Sequence, residues 1–150
     1  MKIVISDVEK DANLNTWQDA ITLASSKLYE NGYVKKEFGE NCIKRELVYP
    51  TGLATDFSVA IPHTESEFVN ETAVSVLRLK KPVVFQNMEN PERVVAAHYV
   101  FNLAIKEKKN QVIFLSKIIR LVQDSKKLEE MFYADAEEFN QEFLTMMNDE

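Results

Sequence analysis

His63 stands in the stretch Val59-Ala60-Ile61-Pro62-His63-Thr64, where an apolar run is cut by a proline and then presents an imidazole. Two histidines, one cysteine and three glycines are present in 150 residues, so few other positions offer reactive groups. Pro62 fixes its own φ and keeps Ile61 extended, which makes the chain leave a strand at a set angle. A histidine held there can keep one ring nitrogen toward solvent, the geometry of a nucleophile that must meet a bulky partner. A hydrogen-bonded turn residue without chemistry satisfies the same pattern, and at this point both readings stay open.

The other candidates are weaker. His98 lies between Ala97 and Tyr99 in an apolar run, the setting of a residue that packs or hydrogen-bonds within a sheet. Cys42 falls on the apolar face of an expected helix, where a free cysteine acts as a small core residue; nothing supports a thiol dyad with His63. The histidines and the cysteine lack metal-ligand spacing, and Gly32, Gly39 and Gly52 are isolated, so no metal, phosphate-loop or nucleotide motif is present. No cofactor is expected. Arg45, eighteen residues before His63, carries a guanidinium able to clamp phosphoryl oxygens, or merely to sit solvated at a helix end.

These residues must be positioned by recognisable elements. Residues 1–14 read as a polar, irregular arm, followed by a single domain over 15–150. A helix starts at Thr16 as N-cap and carries Trp17, Ala20, Ile21, Ala24 and Leu28 at helical spacing to a left-handed stop at Asn31-Gly32. A second helix is expected from Lys35 to Leu47, burying Phe38, Cys42, Ile43 and Leu47. Phe57, Val59 and Ile61 alternate as in a half-buried strand, and His63 continues their face. Thr72–Leu79 and Pro82–Phe85 read as two further strands, and Val94–Ala104 as a central one buried on both faces. Helices then cover Asn110–Gln123, with Asn110 as N-cap, Ser125–Tyr133 and Asp135–Met147. That order predicts an α/β or α+β sandwich, with helices packed over a mixed sheet.

Composition narrows the partners. The net charge of −6, from 24 acidic and 18 basic residues, disfavours nucleic acid as the main partner. No apolar run approaches the ~20 residues needed to span a bilayer, so no membrane insertion is expected. The N-terminus has too short an apolar core for a secretory signal, and the lone cysteine suits a reducing cytoplasm.

The stretch from Arg45 to Leu53, with Tyr49-Pro50-Thr51-Gly52-Leu53, followed by Val59 to Thr64, resembles the IIA proteins of the fructose/mannitol class, components of the phosphoenolpyruvate-dependent sugar phosphotransferase system. The similarity runs from about Trp17 to Met147 and includes Asn31-Gly32-Tyr33-Val34 and Val100-Phe101-Asn102-Leu103-Ala104. Pro50-Thr51-Gly52-Leu53 and Phe85-x-x-Met88 look most like the galactitol-specific branch.

The resemblance implies a mannitol-type IIA fold and a relay. A phosphoryl group would pass from the phosphocarrier HPr to a histidine, then to a cysteine of the cognate IIB protein, which works with a membrane IIC. The phospho-acceptor falls at His63, with Nε2 as the expected site, and the family arginine falls at Arg45. Gln111 takes the place of a second histidine found in mannitol-type members, and Thr64 joins it as a candidate ligand of the phosphoryl oxygens. Thr64 could equally close the turn after the strand. The implied protein is a cytoplasmic carrier for uptake of galactitol or a related polyol. The alternatives are a regulatory domain read through its phosphorylation state, and a binding module that kept the fold and lost transfer.

Overall fold

A computed structural model describes residues 1–8 and 14–148. Helix α1 (Trp17–Glu30) starts on Thr16, whose Oγ1 accepts the Asp19 N–H at 3.1 Å while the Asp19 carboxylate accepts the Thr16 N–H, a reciprocal capping box. It stops at Gly32, at φ +77°, where Gly32 N–H reaches Tyr29 O and Tyr33 N–H reaches Leu28 O. Helix α2 (Phe38–Val48) begins later than the expected Lys35, because the Lys35 N–H is bonded to Phe68 O in the preceding loop.

The strands are β1 (Lys2–Val8), β2 (Gly52–Leu53), β3 (Val59–Ala60), β4 (Ala73–Gln86) and β5 (Val94–Ala104). They form one mixed sheet in the order β1-β4-β5-β3-β2. The pairs β1–β4 and β3–β5 are parallel; β4–β5 and β2–β3 are antiparallel. Helices α3 (Gln111–Gln123), α4 (Ser125–Tyr133) and α5 (Ala136–Asn148) close the chain.

The sheet separates two apolar layers. Ala20, Ile21, Leu28, Phe38 and Cys42 pack with Leu77, Phe85 and Val100 on the side of α1 and α2. Ile118, Leu128, Phe139 and Phe143 pack with Val76, Tyr99 and Phe101 on the other. Along β5, Tyr99, Phe101 and Leu103 therefore serve one layer while Val100 and Ala104 serve the other, which explains its unbroken apolar character. The expected sandwich of helices over a mixed sheet is what forms.

Several local expectations change. Within the arm expected over 1–14, Lys2–Val8 is a strand paired from Lys2↔Ala73 to Val8↔Leu79; residues 9–13 lie outside the described residues. The β-branched run Ile3-Val4-Ile5 supplies its strand preference, and pairing with β4 supplies the partner that a sequence alone does not reveal. The two strands expected at Thr72–Leu79 and Pro82–Phe85 are one, β4, with a register shift between Arg78 and Val83. Pro82 lies inside that irregularity, where no ladder hydrogen bond is needed from it. Asn110 ends a 3₁₀ turn (Lys108–Asn110) and makes no side-chain cap bond. Most consequentially, Leu47, expected in the core, is 63% exposed, while its neighbour Glu46 is 4% exposed.

Gly52 is where backbones crowd most closely: a Cβ there would stand 2.6 Å from the Gln86 carbonyl oxygen. Because the obstacle is main chain, Gly52→Ala should cost about 1–3 kcal/mol of stability. Urea denaturation checks this, and an unchanged midpoint would show that the β2 segment yields freely.

Candidate functional site

After β3 the chain continues alongside β5 through Ile61-Pro62-His63. The Leu103 N–H donates to Pro62 O at 3.0 Å, and His63 pairs with Leu103 in a parallel bridge. The half-buried His63 ring turns back on its own backbone, with Nδ1 2.8 Å from the Ile61 carbonyl. A carbonyl only accepts, so Nδ1 carries the hydrogen and Nε2 keeps its lone pair. Burial lowers the proton affinity of His63 below its ordinary value; the Ile61 bond opposes this, Arg45 adds to it, and Glu65 opposes it. Burial thus favours the neutral imidazole, and in that form the Ile61 bond selects the Nδ1–H tautomer.

Arg45, in the last turn of α2, lies close enough to His63 to disfavour its protonation. Its guanidinium stands 5.2 Å from the centre of the Tyr49 ring. Its Nε is buried and has no hydrogen-bond partner among the described residues. A buried, directional donor left unpaired costs free energy that an acceptor oxygen would recover.

Two buried polar networks hold the segment that carries His63. In the first, the Glu46 carboxylate accepts the Thr51 N–H at 2.7 Å and the Thr51 hydroxyl at 2.8 Å. Thr51 in turn receives the Ile61 N–H on both Oγ1, at 3.2 Å, and its carbonyl oxygen, at 3.3 Å. In the second, fully buried Asn102 donates to Pro62 O at 3.0 Å and accepts the Ser25 hydroxyl at 2.8 Å.

The structure thus brings Arg45 and His63 together. It also brings the start of α3 to the same place: Gln111 Nε2 makes a long 3.5 Å contact with Thr64 O, and Thr64 is buried directly after His63. His98 is elsewhere engaged, stacked on Phe57 at 4.5 Å with its N–H on Ser58 O. Cys42 is a buried thiol that takes a 3.6 Å contact from Asn102 Nδ2, and burial pushes its pKa up to about 12, so it is no thiolate. Among the described residues, no group of three or more His, Cys, Asp or Glu is placed to hold a metal, and no helix is long and apolar enough to cross a membrane.

Sequence reasoning missed the Ile61 carbonyl, Glu46, Thr51 and Asn102. For Asn102 a signal existed: it is an amide in the middle of an otherwise apolar strand, which must find partners when buried. For Glu46 no local signal exists, because a carboxylate near a helix end is ordinarily solvated.

The chain is similar to known proteins in sequence and in fold. The sequence model of the family described as "Phosphoenolpyruvate-dependent sugar phosphotransferase system, EIIA 2" matches residues 3–146. A "Multiphosphoryl transfer protein" of Shigella flexneri is 29% identical over 152 aligned residues, covering 99% of this chain; the chain spans only 17% of that relative's length. The "Transcriptional regulator ManR" of Bacillus subtilis is 32% identical over 82 residues, 55% of this chain and 11% of its own. The crystal structure of IIA mannitol from Escherichia coli superposes with a TM-score of 0.70 at 23% identity, covering 97% of this chain and 95% of that one. The complex of Escherichia coli enzyme IIA mannitol with phosphorylated enzyme IIB mannitol gives 0.66 at 23% identity, covering 97% and 93%. These structures share the fold.

Folded His63 holds its proton less tightly than the ordinary value of 6.5. Stability from this group is therefore complete above pH 6.5 and declines as the pH falls below it, because the unfolded chain then binds the proton that the folded chain refuses. Titration of His63 followed by NMR should give a midpoint under 6.5. A midpoint at or above that value would contradict the neutral-imidazole description.

Proposed function

The chain belongs to the EIIA 2 family of the phosphoenolpyruvate-dependent sugar phosphotransferase system, and on that premise we propose that it is a phosphocarrier whose His63 accepts a phosphoryl group from HPr and yields it to a cysteine of a IIB protein. The observation that carries the reading is the 2.8 Å bond from Nδ1 to Ile61 O, which leaves the Nε2 lone pair free beside Arg45. In the accepting step Nε2 attacks phosphorus in line as the bond to the donor breaks. Nδ1 keeps its hydrogen on Ile61 O, so no proton has to leave the ring. In the second step the P–N bond breaks and the group moves to the thiolate of the acceptor.

Positioning and electrostatics supply the acceleration in such transfers. Arg45 Nε, without a protein partner among the described residues, is the first candidate to hold a phosphoryl oxygen. Thr64 and Gln111 flank the same place, although the Gln111 amide is directed at Thr64 O. Gln111 then acts on the phosphoryl group only after releasing that long contact.

The surroundings suit transfer between proteins. Leu47, Val48 and Tyr49 are exposed at the end of α2, beside Arg45, and Val112 and Ile113 are exposed at the start of α3, beside Thr64. Large exposed apolar residues on both sides of a reactive group favour a docking face. The finer proposal, galactitol or a related polyol as the transported sugar, rests on the wording of Pro50-Thr51-Gly52-Leu53 and Phe85-x-x-Met88. A second reading, a domain regulated through its phosphorylation, is favoured by the similarity to ManR over 82 residues.

Incubation with phosphoenolpyruvate, enzyme I and HPr should label the protein with an acid-labile, alkali-stable phosphate, and His63→Ala should abolish it. Absence of label on the wild type would sink both readings; onward transfer to a galactitol-type IIB, and to no other, separates transport from regulation. Arg45→Ala should slow transfer by roughly 10²-fold. Val112→Glu should raise KM for the donor with little change in kcat, measured by phosphorylation kinetics; an unaltered KM would remove that face from docking.

A further inference from the structure

We infer that Glu46 is a positioning residue for His63: through Thr51 it fixes Ile61 so that the Ile61 carbonyl stays on Nδ1 and Nε2 stays free. The inference rests on the phosphocarrier reading for its purpose, and on the geometry of the described residues for its substance.

The need for such a device follows from Pro62. The carbonyl that orients the His63 ring belongs to the Ile61–Pro62 peptide, which has no N–H because its nitrogen is proline's. That peptide plane cannot be anchored by a donor of its own. Its orientation is set by what grips the chain on either side. On the far side, Leu103 N–H and Asn102 Nδ2 both hold Pro62 O, each at 3.0 Å. On the near side, among the described residues, the grip on the Ile61 N–H is Thr51 alone, through Oγ1 and O.

The Oγ1 half of that grip exists only if the hydroxyl hydrogen is turned away from Ile61; the carbonyl half is set by the Thr51 backbone. Glu46 turns the hydroxyl. The carboxylate takes the Thr51 hydroxyl hydrogen at 2.8 Å, so the Oγ1 lone pairs are left for Ile61, and it takes the Thr51 N–H at 2.7 Å, which locks the backbone of the same residue. Glu46 achieves this at a cost in solvation. It is 4% exposed, and burial pushes its carboxyl up to about 7, with the Thr51 bonds and Arg45 pulling the other way. An apolar side chain in that place would avoid the cost but leave the buried Thr51 N–H and hydroxyl without an acceptor. The last turn of α2 instead turns Leu47 outward and Glu46 inward, so that consecutive residues reach His63 by two routes: Arg45 directly through space, Glu46 through Thr51 and Ile61.

Three substitutions separate positioning from mere support. Glu46→Gln puts amide hydrogens where Thr51 offers only donors, so the Thr51 hydroxyl must turn around. Thr51→Val removes the hydroxyl at constant shape, and Thr51→Ser keeps it. The readouts are the ¹⁵N shifts of the His63 ring, with His98 as an internal control, and the kinetics of phosphorylation by HPr. Wild type and Thr51→Ser should show the Nδ1–H tautomer alone. Glu46→Gln and Thr51→Val should show a mixture of tautomers and a kcat lower by about tenfold or more, at an unchanged KM. A wild-type tautomer and rate in both would overturn the inference. Should Glu46→Gln fail to fold, the Thr51→Val and Thr51→Ser pair decides alone. If wild type takes no phosphate, the carrier reading falls, while the ring shifts still decide whether Glu46 and Thr51 set the tautomer.

Discussion

The hydrogen bond from His63 Nδ1 to the carbonyl of Ile61, two residues earlier, governs what the imidazole can do. It selects one tautomer, and it spends the nitrogen that is not wanted for chemistry. So short a loop closes only if the backbone between the two residues keeps one curvature. Pro62 supplies a fixed φ at the centre of that curve, and the neighbouring strand β5 supplies the rail along which it runs. Burial then lowers the proton affinity of the ring, keeping Nε2 available where an exposed histidine would be partly charged.

Around this bond the molecule accepts polar groups in places where apolar ones would pack better. Asn102 and Ser25 meet inside the layer formed by α1 and α2, and Glu46 and Thr51 meet just below the reactive residue. Each of these groups is hydrogen-bonded, so the desolvation cost is largely offset. The Nε of Arg45 departs from that pattern. A buried donor without a partner costs roughly 1–3 kcal/mol. Any acceptor oxygen brought against that Nε would relieve the deficit.

Much of this was legible in the residues themselves. The capping box at Thr16, the glycine stop at Gly32 and the extent of β5 follow from local rules that tertiary contacts do not override. Pro62 before His63 is a local signal that sets this position apart, while Arg45 is singled out only through resemblance to a family pattern. Long-range pairing was not. Whether Lys2–Val8 is an arm or a strand depends on β4, some seventy residues away, and periodicity within a short segment carries no trace of it. The burial of Glu46 in place of Leu47 was hidden for another reason. Hydrophobic patterning assumes that apolar residues face inward, and at the end of α2 the buried Thr51 donors draw Glu46 inward instead.

The residues that define the site come from widely separated parts of the chain: Ser25 in α1, Arg45 and Glu46 in α2, Ile61 after β3, Asn102 in β5 and Gln111 in α3. Their contacts are non-local, and both parallel pairings of the sheet need long crossovers before they can form. Topologies of that kind fold slowly, since loop-closure entropy is lost before the contacts repay it. An assembly that lacks any one of these segments lacks part of the arrangement around His63. A chain in which those contacts are unmade presents His63 as an ordinary titrating imidazole, so its lowered proton affinity is a property of the assembled fold.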